Sequence, residues 1–446
     1  MRSPRIIRTA SFLTWIAPLR GMKAEQLLTI AKTPAGIPVI TERLPQTRSA
    51  AVSISVGIGS RDEGPKQHGM AHFLEHMLFK GTKNRTFNQV NETIEEAGGY
   101  LNAFTTQEMT SFFSFSIDET VETAQGLVQD IFCNPLMDKG YLELEKGVVK
   151  QEINNRLNDP ERYIKNLLLR SLFKGGPLSR PVLGTDKSVD SFASEDLLEF
   201  HSTKYRPPRM AVVACGNIDP KQVLQWATDS LDGLEKAKPV RRQEPKFYAS
   251  IDAYPRKGDH MYVGMAFPGL TAKDPKSYAQ DVLAAIIGGG ASSRLNRKVR
   301  EEEGLVYSIY MAPSSYSDSG TIESYFSTSG DRVQRVIQIF GEELKRLKAE
   351  GLAPGELERA KHVLKGSILR NIGQPRDDMR MFAYHYMITG EVPVIDDEVR
   401  KYEEVTEDDV MGLAQRLLVR KDMTAAIYGA KNMAESTAAF TKGVDF

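Results

Sequence analysis

The segment VVKQEINNRLNDP (148–160) aligns with VLKGSILRNIGQP (363–375) at a constant offset of 215 residues. A second pair keeps nearly the same spacing: SEDLLEF…MAVVACGN (194–217) resembles TEDDVMGL…MTAAIYGAKN (406–432) at an offset near 213. Outward from these anchors, the order strand, helix, strands, long helices, helix, strand occurs twice. Between the copies lies GLEKAKPVRRQEPK (233–246), with seven charges and two prolines against one Leu and one Val, the composition of a linker. The chain therefore reads as one unit of helices and strands duplicated in tandem. The expected boundaries are 25–232 for the first copy, 233–259 for the linker region and 260–446 for the second copy. The copies differ at one telling place: the first has Gln151-Glu152 where the second has Gly366-Ser367.

Within the first copy, Leu27–Ala31 and Ile37–Thr41 read as strands around a turn at Pro34–Gly36, and AVSISVGIGS (51–60) alternates as a strand does. GMAHFLEHMLF (69–79) reads as a helix, and a second helix at about 88–97 ends in Gly98-Gly99. YLNAFT (100–105) and TSFFSFSI (110–117) read as neighbouring strands, followed by helices over 118–132 and 139–157, the latter stopped by Asp159-Pro160.

The composition narrows the possibilities. The chain has 446 residues, 58 basic and 58 acidic, so its formal charge is zero and it lacks the basic footprint expected of a nucleic-acid binder. Hydrophobic residues at 41% and charged residues at 26% are those of a globular protein, not a disordered one. No run of about 18 apolar residues is present to span a membrane. Cys133 and Cys215 are too few for a disulfide framework or a cysteine metal site and read as free buried thiols.

Residues 1–24 depart from this neutral average, with Arg2, Arg5, Arg8, Arg20 and Lys23 ahead of the first acid, Glu25. Three readings fit: a disordered tail or a start assigned upstream of Met22, an organelle transit peptide, or a weak secretory signal. The corresponding locations are cytoplasmic, of bacterial type, or else the mitochondrial matrix or export.

The chemistry concentrates in H-F-L-E-H. On a helix four residues advance about 400°, so His72 and His76 share a face about 40° apart, with Glu75 about 60° to the other side of His72. Two imidazoles with a carboxylate suit Zn2+ in a catalytic site of three protein ligands, and the order H-x-x-E-H is the inverse zincin pattern. The surrounding Ala71, Phe73, Leu74, Met77, Leu78 and Phe79 make the helix apolar almost all round, hence buried. Buried imidazoles and a carboxylate require partners. A third ligand must come from elsewhere. Glu145 and Glu152, seven apart on the helix over 139–157, share a face, so that one can bind metal while the other supports a histidine. His68, His201, His260, His362 and His385 read as structural, His68 alternatively as a substrate contact.

HGMAHFLEHMLFKGT (68–82) resembles the signature of the pitrilysin/insulinase-type inverzincin metallopeptidases, closest to the mitochondrial-processing-peptidase-like branch, and the resemblance extends over nearly the whole chain from about residue 25. It implies an α+β fold of two homologous domains in tandem, each a mostly antiparallel sheet packed with helices, the two facing each other around a chamber. It implies one Zn2+ per chain held by His72, His76 and Glu152, with Glu145 supporting the ligands and Glu75 as the catalytic base. GGYLNAFTTQEMT (98–110) resembles the segment whose edge strand binds peptide, which gives Asn102 and Ala103 that role. GGGASSRLNRKVREEEGLVYS (288–308) resembles the segment that supplies a substrate-binding Arg, here Arg300, and a catalytic Tyr, here Tyr307, though Asn296 stands where Phe is common. The implied activity is that of a zinc endopeptidase acting on extended or unfolded peptides. The implied partners are a peptide substrate and a second copy or related subunit in a dimer. A non-catalytic structural subunit of the same fold is the alternative.

Overall fold

A computed structural model describes residues 27–238, 240–429, 438, 440 and 441; the basic segment 1–24 lies outside them. The strands are β1 (Leu28–Lys32), β2 (Pro38–Arg43), β3 (Ser49–Val56), β4 (Tyr100–Thr105), β5 (Thr110–Ile117) and β6 (Met210–Gly216), then β7 (Ile251–Tyr254), β8 (His260–Pro268), β9 (Ile309–Ser315), β10 (Gly320–Ser329) and β11 (Thr424–Tyr428). The helices of the first half are α1 (Met70–Leu78), α2 (Phe87–Glu96), α3 (Val121–Cys133), α4 (Lys139–Asn158), α5 (Pro160–Leu172), α6 (Asp186–Asp190), α7 (Ser194–Lys204) and α8 (Pro220–Leu231). Those of the second half are α9 (Ser277–Gly288), α10 (Val333–Glu350), α11 (Glu356–Asn371), α12 (Pro375–Thr389), α13 (Ile395–Glu403) and α14 (Glu407–Leu417).

The first sheet runs β1-β2-β6-β3-β5-β4 and the second β7-β11-β8-β10-β9. Each has one parallel pair, β2 with β6 and β7 with β11, and is otherwise antiparallel. Among the described residues, the second sheet repeats the first strand for strand without β1. The fold is α+β, and the duplication seen in the sequence is a duplication of topology.

The two compact units are not contiguous in sequence. The first comprises 27–151, 182–242 and 371–393, the second 152–181, 243–370 and the described residues from 394 on. The division thus exchanges helices. In the second unit Ile164, Leu168 and Leu172 of α5 pack with Ala266, Tyr325 and Ala426 of the second sheet. In the first unit Met379, Phe382 and Ala383 of α12 pack on Ile40, Ala51, Phe113 and Val213. Strand β3 is thereby buried on both faces. Its alternate residues Ser53 and Ser55 lie on the α12 face and are buried, with Ser55 bonded to Ser111 at 2.8 Å. The opposite face, with Ile54 and Phe112, is apolar core. A strand buried on both faces loses the meaning of its alternation.

The linker region is likewise tied down. Arg242 donates to Asp62 at 2.9 and 2.8 Å, to the Glu108 carboxylate at 2.9 Å, and to the carbonyls of Gly57 and Glu108 at 3.1 Å. Arg61 donates to the same Glu108 carboxylate at 2.6 Å. This stretch of the first unit therefore extends through Arg242, and residues 243–370 belong to the second. Cys215 is buried and Cys133 half-buried, both free thiols. His201 is a core residue, its ring 2.8 Å from the Phe132 carbonyl and its pKa pushed down to about 4 by burial and by Arg206. No helix among the described residues is long and apolar enough to cross a membrane.

Asp378 of α12 meets Glu42 of β2. Burial, then repulsion between the two carboxyls, raises Glu42 to about 8; burial raises Asp378 to about 6, against the Gly373 N–H that favours its charge. Asp377 on α12 and the buried Cys215 thiol on β6 are the other titratable neighbours. Both carboxyl values stand above their ordinary ones, so the pair's contribution is present at low pH and is lost as pH rises through about 6 to 8. The urea midpoint of the first unit is expected to fall between pH 6 and 8, with a flatter profile in Glu42→Gln; an unchanged slope in that variant would contradict this account.

Candidate metal centre

The helix α1 begins on Gly69, whose φ of 89° is left-handed. A Cβ there would meet Gly184 Cα at 2.7 Å, so only glycine fits. The buried Glu63 carboxylate accepts the N–H groups of Gly69 and Ala71 at 2.8 and 2.9 Å, capping the helix start. Ala71, Phe73, Leu74, Met77 and Leu78 are buried around α1 and hold it rigidly against the sheet. The two histidine rings project together, centroids 4.8 Å apart and planes tilted by 59°.

Helix α4 supplies the acids. The His76 Nδ1 atom is 3.0 Å from Glu145, whose other oxygen pairs with Lys80 at 2.7 Å. Burial alone would raise the Glu145 pKa, but the bonds to His76 and Lys80 outweigh it and hold the carboxyl below its usual range. Because α4 is unbroken from Lys139 to Asn158, locating Glu145 also locates Glu152 two turns further on. One ligand atom each from His72, His76 and Glu152 lies within 4.8 Å of the others.

This donor set fits zinc. Two imidazoles and one carboxylate are the ligands of an open, catalytic zinc site. A carboxylate on His76 Nδ1 leaves Nε2 for the metal, the usual orienting arrangement around metal-bound histidine.

Glu75 is held from the sheet, its carboxylate accepting the Thr105 hydroxyl at the end of β4. Among the described residues, β4 is the last strand of its sheet and pairs only with β5. The Thr106 N–H donates to the Met109 carbonyl at 2.8 Å, closing the hairpin. Antiparallel alternation then turns the backbone of Tyr100, Asn102 and Phe104 inward to β5 and that of Leu101, Ala103 and Thr105 outward. The Asn102 side chain folds over the edge, its oxygen accepting the Ala103 N–H at 2.8 Å.

Arg300 and Tyr307 belong to the second unit. The Arg300 guanidinium lies over the Tyr307 ring, 5.6 Å from its centre, and Tyr307 is 86% exposed. Asn296 is internal, its amide donating to the Ile309 carbonyl at 2.8 Å, so it ties the π-helical turn Asn296–Glu302 to β9. Four residues of the centre escape a reading of the sequence: Glu63, Lys80, Thr105 and Arg242. Lys80 has a signal, four residues past His76 at the helix end; the others act across long loops with no local pattern.

Comparison with known proteins finds relatives along most of the chain. An uncharacterized zinc protease of Mycobacterium leprae is 34% identical over 418 residues, covering 91% of this chain and 93% of the relative. The chain belongs to the insulinase family of peptidases. The family's sequence models match residues 38–186 (Insulinase, Peptidase family M16) and 191–364 (Peptidase M16 inactive domain). Another member, an uncharacterized zinc protease of Bacillus subtilis, is 31% identical, covering 89% of this chain and 97% of its own. A protease from Helicobacter pylori superposes with a TM-score of 0.83 at 19% identity, covering 90% of this chain and 99% of that one. A chain of complex III2 from Candida albicans does so at 0.80 and 19%, covering 94% and 100%. These two share the fold. In the second copy, α9, which follows β8 as α1 follows β3, reads SYAQDVLAAIIG and has no histidine.

Proposed function

We propose that this peptidase-family chain is a zinc endopeptidase of the processing-peptidase-like type that cleaves extended or unfolded peptides. The observation that carries the reading is the convergence of His72, His76 and Glu152 within 4.8 Å, with Glu75 on the same helix. Bound zinc supplies a Lewis acid and a water acidic enough to ionise near neutrality. Glu75 accepts the proton of the attacking water and returns it to the leaving amine. The open edge of β4 takes the peptide as an added strand through the outward backbone of Leu101, Ala103 and Thr105. Asn102, bonded to the Ala103 N–H, shields that edge until peptide arrives. Arg300 orients a substrate carbonyl or carboxylate, and the Tyr307 hydroxyl stabilises the oxyanion, roles carried by the resemblance of residues 288–308 and compatible with the exposure of Tyr307. By the family resemblance, the active form pairs this chain with a second copy or a related subunit.

Mass-spectrometric profiling of a peptide library, with and without chelator, tests this. Chelator-sensitive endoproteolysis is expected, with Tyr307→Phe reduced on the order of 100-fold in kcat. A chain that binds zinc and cleaves nothing, with or without a partner subunit, would instead be a structural subunit of the fold.

A further inference from the structure

We infer that Thr105 is a positioning residue that locks the register of bound peptide to the catalytic base; this rests on the peptidase reading above. Two features meet in this one residue. Its hydroxyl donates to Glu75, fixing the carboxylate of α1 from the strand. Its backbone is one of the three on β4 that face the open edge, by the alternation that the Thr106–Met109 bond sets. A peptide that adds to β4 bonds to the backbone of Ala103 and Thr105 while the Thr105 side chain holds Glu75.

The distance along the peptide from its paired residues to Glu75 is thereby set by a single residue. Register in strand addition is otherwise weakly specified, since backbone pairing repeats every two residues. The turn behind the strand keeps this pin in place. Ser60 and Arg61 donate their N–H groups to the carbonyls of Thr106 and Gln107 at 3.1 and 2.8 Å, and Arg61 and Arg242 clamp Glu108. Glu63, next in sequence to Asp62, caps α1, so the segment that holds this turn also holds the start of that helix. On that frame the Thr105 hydroxyl holds the Glu75 carboxylate.

The test compares Thr105→Val, which keeps the shape without the donor, with Thr105→Ser, which keeps the donor, in the full chain on one defined peptide. Thr105→Val is expected to lower kcat about ten-fold or more with KM within about two-fold, because misplacing a reacting group costs rate rather than affinity. It should also spread cleavage over neighbouring bonds, seen by mass spectrometry. Thr105→Ser should restore both rate and cleavage position. Zinc content should match wild type in both, and a Glu75→Gln chain should bind the peptide equally with Thr or Val at 105. Thr105→Ala is the second probe should valine disturb the strand. Wild-type rate and cleavage pattern in the valine and alanine variants, or a serine variant as poor as valine, overturns the inference alone. A wild-type chain without chelator-sensitive cleavage overturns the peptidase reading and the inference with it.

Discussion

Glu75→Gln should abolish peptide hydrolysis, with kcat down by about 1,000-fold or more, while the protein keeps about one zinc per chain. The amide is nearly isosteric with the carboxylate and can still accept the Thr105 hydroxyl, so the geometry of β4 and α1 is preserved. What is lost is the ability to take a proton. Glu75 is not among the grouped ligand residues His72, His76 and Glu152, so metal content is the internal control. Elemental analysis alongside a fluorogenic peptide assay reads both quantities. Substantial activity in a pure sample would remove Glu75 from the role of base.

The second large effect separates the two acids of α4. Glu152→Gln should lose zinc, because a neutral amide oxygen replaces the one anionic ligand of the set. Glu145→Gln should retain zinc with affinity weakened on the order of 10- to 100-fold. Glu145 stands behind the metal residues: it orients His76 at 3.0 Å and neutralises Lys80 at 2.7 Å. Without its charge, the Lys80 ammonium faces the histidine pair uncompensated. Competition with a chelator of known affinity ranks the three proteins. Equal zinc content and equal resistance in all three would refute the division of labour.

The two carboxylates also show where the chain could be read directly and where it could not. Their seven-residue spacing puts both on one face of a helix in any context, so the sequence presents two candidates. Choosing between them on the residues alone is not possible, because a ligand and its supporter have the same chemistry. The contact of Glu145 with His76 and Lys80, made by packing α4 against α1, distinguishes them.

By itself the sequence determined the main strands and helices of the first copy, the tandem duplication, the burial of α1 and the pairing of His72 with His76. Each of these follows from helical or strand periodicity, or from spacing within one segment, and such local geometry is a property of the backbone. Only the tertiary structure decided that α12, from the second half of the chain, covers the serine face of β3, and that α5 belongs with the second sheet. It also decided that Arg242, in a charged stretch resembling a free tether, is clamped between Asp62 and Glu108. The edge position of β4 and the bond from Thr105 to Glu75 belong to the same class. These contacts join residues 30 to more than 300 positions apart, and their energy comes from burying one segment against another. A linear pattern carries no record of which distant surface will supply the partner.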